Sequence, residues 1–270
     1  MHVSTRLKIN KIQEGLGTKK FGRTIVFLHE TDSTNNVAKE LAAYGANEGT
    51  VVVAETQTAG RGRLDREWIS PTGGLWFSIV LRPKLSVAEA FGLVFAAGLA
   101  VAQTLNEKYG LFVQTKWPND VLVRGKKVCG MLVETNSTER KLNFAVLGVG
   151  VNVNFDVKNV LPNALTEAAT SLKNELGHRV DVNELLRAML EHIENAYDLL
   201  VGEHWSQILD EWKEFAVFLG HRVEVVCGSE KFSGIALDVD SDGELILRLD
   251  DGAVKRVISG DVSLSVSAAS

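Results

Sequence analysis

The sequence predicts an α+β protein in two parts: a sheet-and-helix body over residues 23–218 and a small antiparallel β-barrel over residues 219–270, preceded by an N-terminal arm, residues 1–22. Two observations carry this. Up to residue 218, apolar runs of strand length interleave with runs of helical period, the pattern of helices packed on a sheet. Beyond Leu219-Gly220 the helical period disappears, and four or five short alternating strands follow within about 50 residues, which is the spacing of a small barrel. Bulk composition agrees, since 270 residues with 45% hydrophobic and 23% charged side chains can bury one substantial core plus a satellite domain.

Charge and targeting signals narrow the class. A net charge of −5 and a pI near 5.7 argue against DNA or RNA as the main partner. No stretch approaches the ~18 consecutive apolar residues of a membrane span, and the first residues lack a signal-peptide core, so a cytoplasmic protein with no membrane partner is expected. Met1 to Lys20 is basic and polar, and Glu14 is out of place in a transit peptide, so a disordered arm is expected there. Cys129 and Cys227 lie far apart, form no zinc spacing and read as free thiols.

In chain order, Thr24 to His29 is a short strand. Thr31-Asp-Ser-Thr-Asn-Asn36 then offers several caps for a helix through Val37, Ala38, Leu41 and Ala42; Ser33, Thr34 and Asn35 are either caps alone or part of a polar-ligand site. A second strand, Thr50 to Thr56, leads into Gln57-Thr-Ala-Gly-Arg-Gly-Arg-Leu-Asp-Arg-Glu-Trp68. Here Arg61, Arg63 and Arg66 are set among Gly60 and Gly62, which let the backbone approach a ligand while guanidinium forks match phosphate or carboxylate oxygens. After the Ser70–Gly74 turn come a buried strand, Leu75 to Leu81, and the longest helix, Val87 to Asn106.

Val113 to Val123 reads as two β-runs interrupted by Lys116-Trp-Pro-Asn-Asp120, either a plain turn or a place where something charged binds. Lys127 enters the next strand, Lys126 to Glu134, from its polar side. In Leu142 to Phe155, strand alternation puts Gly148, Gly150, Asn152 and Asn154 on one face and Val149, Val151 and Val153 on the other. Glycines spaced by two weaken a strand, so a ligand or another backbone is expected against that bare face. Asp156 to Gly177 is loop-like, Val182 to Val201 and His204 to Phe218 are amphipathic helices, and Arg222–Val226, Glu230–Leu237, Glu244–Leu249 and Ala253–Ile258 are the barrel strands.

Ser33-Thr34-Asn35, Gly60-Arg-Gly-Arg-x-x-Arg-x-Trp68, Lys116-Trp-Pro-Asn-Asp120, Lys127-x-x-Gly130-x-x-x-Glu134 and Gly148-Val-Gly-Val-Asn-Val-Asn154, in that order and spacing, closely resemble the biotin protein ligases. The resemblance covers about residues 22 to 265. It implies a mixed sheet like the catalytic domain of class II aminoacyl-tRNA synthetases, followed by an SH3-like barrel. It also implies two-step chemistry: biotin and MgATP give biotinyl-5′-AMP, and a lysine of a biotin carboxyl carrier domain takes the biotinyl group.

By the same resemblance, Ser33, Thr34, Asn35, Gln57, Gly60, Arg61, Arg63, Lys127 and Gly130 form the biotin site. Arg63, Arg66, Trp68, Asn119, Lys127 and Asn152 serve ATP, and Lys127, Arg61, Arg63 and Asp120 are the catalytic set, with the magnesium ligands unassigned. The Arg/Gly loop is expected to act as a lid, and a homodimer is expected. Asp65 stands where many members have glycine, and its carboxylate is expected to weaken the pull of the arginines on phosphate. The residues before Thr24 are too few for the winged-helix domain of some members, so a ligase without a repressor function is expected. Two rival readings are a lipoate protein ligase, whose Arg-Arg-x-x-Gly-Gly-Gly pattern is missing here, and a non-catalytic biotin or nucleotide sensor, which has no need of transition-state cations.

Overall fold

The computed structural model describes residues 6–139 and 141–264, apart from the side chains of Asp65 and Leu264. A short helix, α1 (Ile9–Gln13), precedes the first strand, β1 (Ile25–Thr31), and helix α2 (Thr34–Ala43) crosses over to β2 (Val51–Gln57), which lies parallel to β1 with Ile25 opposite Val51. After β3 (Leu75–Leu81) comes the long helix α3 (Gly92–Tyr109), entered through a 3₁₀ turn at Val87–Phe91 that Ser86 and Glu89 close as a capping box. Strands β4 (Val113–Lys116), β5 (Asp120–Val123), β6 (Lys126–Thr138) and β7 (Lys141–Val151) complete a seven-stranded sheet in the order β1-β2-β3-β7-β6-β5-β4. Only the β1–β2 pair is parallel, so the sheet is mixed.

Three short helices, α4 (Val157–Val160), α5 (Asn163–Thr166) and α6 (Leu172–Leu176), lead to α7 (Val182–Val201) and α8 (Trp205–Glu214). The last part holds β8 (Arg222–Cys227), β9 (Glu230–Val239), β10 (Leu245–Leu249), β11 (Val254–Val257) and β12 (Asp261–Leu264), an antiparallel sheet in the order β11-β10-β9-β8-β12.

Strand alternation decides where the cavity lies. Val51 and Val53 on β2, and Leu75, Phe77, Ile79 and Leu81 on β3, point into the large core under α3 and α7. Their neighbours Val52 and Val80 point to the other face, where Ala38, Ala42, Val37 and Leu41 of α2 cover them. Further along the same face β3 presents Ser78 and Trp76 while β7 presents Gly148 and Gly150, paired in register as Ser78–Gly148 and Trp76–Gly150. The helix covers one end of that face and the glycines leave the other end open. The segment Val87–Tyr109 is apolar and long enough by composition to cross a membrane, yet it is mostly buried in the core of this fold.

Two expectations are corrected. From Arg6 onward the chain is no disordered arm: Ile12 and Phe21 are fully buried and Leu16 nearly so. The reason is α7, whose buried Glu194 accepts the Lys19 N–H at 2.8 Å and the Lys20 N–H at 2.8 Å, while Asn183 accepts that of Lys8 at 2.7 Å. Residues 1–5 of the expected arm lie outside the described residues. The last strand of the large sheet is also shorter than expected, because past Val151 the Asn152 N–H donates to Val128 and the Asn154 N–H to Gly73, away from a ladder.

Candidate functional site

The Arg/Gly loop closes on itself between β2 and β3: the Trp68 N–H donates to Gly60 at 2.9 Å and the Gly62 N–H to Arg66 at 2.7 Å. A side chain at Gly60 would strike the Trp68 carbonyl and the Ser70 hydroxyl, so glycine there permits a close backbone approach. Gly60 is not among the residues that line the cavity, and its place in the structure is this steric one. At the loop tip Leu64 takes the left-handed conformation (φ 55°, ψ 40°) and is exposed. The side chain of Asp65, and with it the expected effect on phosphate, lies outside the described residues.

Each arginine has a fixed neighbour. The Arg61 guanidinium donates to Asn36 Oδ1 at 2.7 Å and lies 3.5 Å from Glu134. Arg63 donates from Nη1 to Asn119 Oδ1 at 3.3 Å and to the Gly260 carbonyl at 3.2 Å, and its burial pushes the guanidinium pKa down. Arg66 pairs with Asp261 of β12. Trp68 lies across Gly150, edge-on to Trp76 with ring centroids 6.4 Å apart, and its buried Nε1 has no hydrogen-bond partner among the described residues.

The start of α2 supplies the polar end. Ser33 precedes the helix but does not cap it with its side chain, and it is buried at the cavity wall. Thr34 donates from both its N–H (2.8 Å) and its hydroxyl (3.0 Å) to Gln57 Oε1, and Gln57 in turn donates to the Ser70 hydroxyl at 2.8 Å. Asn35 donates to Glu134 at 2.7 Å and accepts from the Ser78 hydroxyl at 2.6 Å.

Opposite them, Lys127 Nζ lies 2.7 Å from Asp120 Oδ1 and 4.9 Å from the Trp68 ring centroid, an ion pair and a cation–π contact on one ammonium. The Lys127 backbone is held by the segment after α5, donating to Ala168 at 2.8 Å and accepting from Thr170 at 2.9 Å. Gly130 faces Asp120 on one side and Gly150 on the other.

These groups enclose a cavity of about 350 Å³. Ser33, Thr34, Asn35, Gln57, Arg61 and Arg63 line it from the loop and α2. Arg66, Trp68, Asn119, Asp120, Lys127, Gly130 and Asn152 line the rest. Asn152 is tied down, with its side-chain amide donating to the Thr170 carbonyl at 2.9 Å, and Asn154 leaves the site altogether to bond with Val180. The floor is Gly148 and Gly150, where a side chain would strike Asn35 and Trp68. Chemically the cavity can take an anion: Arg61, Arg63, Arg66 and Lys127 line it beside the Asp120 and Asp261 carboxylates, over a glycine floor with amide and hydroxyl groups at one end.

Sequence reasoning missed several contributors. Ser78 sits in a strand that otherwise reads as pure core, and Leu161, Leu165, Ala168 and Ala169, which form a wall, come from a stretch read only as loop. Asp261 comes from the C-terminal domain, about 195 positions from its arginine, and no local pattern marks such a contact.

Residues 27–152 match the Biotin/lipoate A/B protein ligase family and residues 218–265 the Biotin protein ligase C terminal domain. The bifunctional ligase/repressor BirA of Bacillus subtilis (strain 168) is 35% identical over 260 residues, which are 96% of this chain and 79% of that protein. This chain belongs to the biotin protein ligase family. The biotin--[acetyl-CoA-carboxylase] ligase of Paracoccus denitrificans is 35% identical over 82% of this chain and 92% of its own length. Among solved structures, the biotin protein ligase from Aquifex aeolicus in complex with biotin and ATP has a TM-score of 0.75 and 31% identity, covering 90% of this chain and 98% of that one. The mixed sheet is thus the class II aminoacyl-tRNA synthetase-like sheet of biotin protein ligases, and the C-terminal domain is their SH3-like domain.

Proposed function

We propose that this biotin protein ligase joins biotin to a lysine of a biotin carboxyl carrier domain in two steps. The observation that carries the reading is the convergence of Lys127, Arg61, Arg63 and Arg66 on one cavity with a glycine floor. In the first step the biotin carboxylate attacks the α-phosphorus of ATP and pyrophosphate leaves. Two anions must meet, so cations fixed in place beforehand offset their repulsion and stabilise charge developing on phosphorus. Biotin lies at the α2 end, with Ser33, Thr34, Asn35 and Gln57 near its ureido ring and Gly130, Gly148 and Gly150 beneath it. Trp68 covers the adenylate, and Arg63, Arg66, Asn119 and Asn152 stand on the nucleotide side. Lys127 bridges the carboxylate and the α-phosphate.

In the second step the acceptor amine attacks the mixed anhydride, giving an amide and AMP, and Asp120 positions the amine. Mg²⁺ enters as MgATP. An ion that arrives on substrate phosphates takes at most one or two carboxylates from the protein. The name of the Paracoccus denitrificans relative, an acetyl-CoA-carboxylase ligase, supports a carboxylase as the source of the acceptor domain. The reading includes a cytoplasmic location, which two unpaired thiols suit, and a homodimer, for which β1 offers an open sheet edge.

The test is incubation with biotin, MgATP and a carrier domain. Biotin-dependent pyrophosphate release and a biotinylated carrier lysine are expected. Pyrophosphate release with lipoate only, or biotin binding without turnover, would overturn the reading.

A further inference from the structure

A second cavity, of about 490 Å³, lies where the start of α3 and the Trp117-Pro118 turn meet the β9–β10 turn of the C-terminal domain. Its walls are apolar, with Phe91, Val94 and Trp117, and its rim carries the exposed Asp242 and half-buried Glu244. Neither carboxylate is in an ion pair among the described residues. The two cavities share a wall, because Arg63 and Asn119 line both, joined by the 3.3 Å hydrogen bond between them.

Biotin and a nucleotide share the first cavity in this reading, and the second cavity gives a third reactant a separate approach to it. We propose that the second cavity is the passage for the acceptor lysine, with Arg63 and Asn119 as its gate; the proposal rests on the reading that the acceptor is a lysine. The chemistry of the walls fits one occupant. Carboxylates at the rim attract an ammonium, apolar walls take a four-methylene stem, and the inner end abuts Arg63 and Asn119, beyond which Asp120 lines the first cavity.

The gate has a built-in order. Arg63 donates to two neutral oxygens, Asn119 Oδ1 and the Gly260 carbonyl, at 3.3 and 3.2 Å, and feels the Asp261 and Asp120 carboxylates without a hydrogen bond to either. A phosphate anion binds a guanidinium more strongly than neutral acceptors do, so nucleotide draws Arg63 inward and opens the shared wall. The lysine therefore enters only after nucleotide is bound. The ammonium first gives one proton to solvent; the neutral amine then places its lone pair on the biotinyl carbonyl carbon, the acyl–oxygen bond breaks with its electron pair going to AMP, and the second proton released from nitrogen passes to the Asp120 carboxylate.

The experiment uses two variants of the full chain, Val94→Trp to fill the passage and the double change Asp242→Lys, Glu244→Lys to reverse its rim. Biotin-dependent pyrophosphate exchange reads the first step. Single-turnover transfer from preformed adenylate to a carrier domain reads the second, and hydroxylamine serves as a small nucleophile. Exchange and hydroxylamine cleavage are expected to stay within about twofold of wild type in both variants. Carrier transfer is expected to fall at least about tenfold with Val94→Trp, and the carrier KM to rise about tenfold with the charge reversal. Wild-type transfer in the charge-reversed protein overturns the proposal, as does an equal loss of exchange and transfer in both variants. Failure of the wild-type chain to exchange pyrophosphate with biotin would instead sink the functional reading. If Val94→Trp does not fold, the charge reversal decides alone.

Discussion

Lys127 stands 2.7 Å from Asp120 and 4.9 Å from the Trp68 ring centroid, so its ammonium is aimed before any substrate arrives. Removing a preorganised charge that acts mainly in the transition state lowers rate more than affinity. For Lys127→Ala, biotin affinity by calorimetry is expected within a few-fold of wild type while pyrophosphate exchange falls by at least about a hundredfold. An undiminished rate would remove Lys127 from the mechanism. Ser78 acts one layer further back: fully buried, it lies 2.8 Å from the Thr34 hydroxyl and donates to Asn35 at 2.6 Å. Ser78→Ala leaves those buried groups short of a partner, at a cost of about 1–3 kcal/mol in chemical denaturation. It should raise the KM for biotin more than it lowers kcat; the reverse split would deny it a positioning role. Lys127 was legible in the sequence because it stands in a spaced motif. Ser78 was not, since six apolar neighbours in its strand make it look like a polar gap in a core.

At the scale of elements, Glu134 ties β6 to α2, accepting from Lys39 at 2.6 Å and Asn35 at 2.7 Å with Arg61 nearby. Burial acts to raise its pKa, but the hydrogen bonds from Lys39 and Asn35 and the charges of Lys39 and Arg61 outweigh it and hold the carboxyl below its ordinary 4.5. A carboxyl that ionises more readily folded than unfolded contributes its full stability above the unfolded value and loses it as pH falls through the lower folded value. The stability gap between wild type and Glu134→Gln should therefore shrink as thermal melts move from about pH 6 to about pH 3. A gap that does not change with pH would contradict the pairing. Two elements built on periodicity were read to the residue, β3 at Leu75–Leu81 and α7 at Val182–Val201, whereas α3, expected at Val87–Asn106 as the longest helix, runs over Gly92–Tyr109 and is shorter than α7. The stretch from Asp156 to Gly177 was not legible, because it meets the site through its own main chain: the Ala168 carbonyl accepts from Lys127, the Thr170 N–H donates to Lys127, and the Thr170 carbonyl accepts from the Asn152 amide, none of which leaves a side-chain signature in that stretch.

At the scale of the molecule, the C-terminal domain is part of the site. Asp261 holds Arg66, the Gly260 carbonyl holds Arg63, and the buried indole of Trp117 donates to the Gly243 carbonyl at 2.9 Å. Asp261→Ala is expected to raise the ATP KM about two- to fivefold, the scale of a partly exposed ion pair, with biotin affinity unchanged by titration. A matching loss of biotin affinity would mean that the domain acts on the whole cavity instead. The two-part division was visible from the change in strand pattern at Leu219-Gly220, but contacts between parts depend on three-dimensional neighbours that no single sequence encodes locally. Trp68 gives the molecule one further property. Of its five tryptophans, Trp76, Trp117 and Trp212 are almost fully buried, and Trp205 packs against Phe91 and Phe95. Trp68 alone lines the cavity, over an ammonium. Its emission therefore reports occupancy directly, and a Trp68→Phe protein supplies the dark reference for following each loading step in real time without a label.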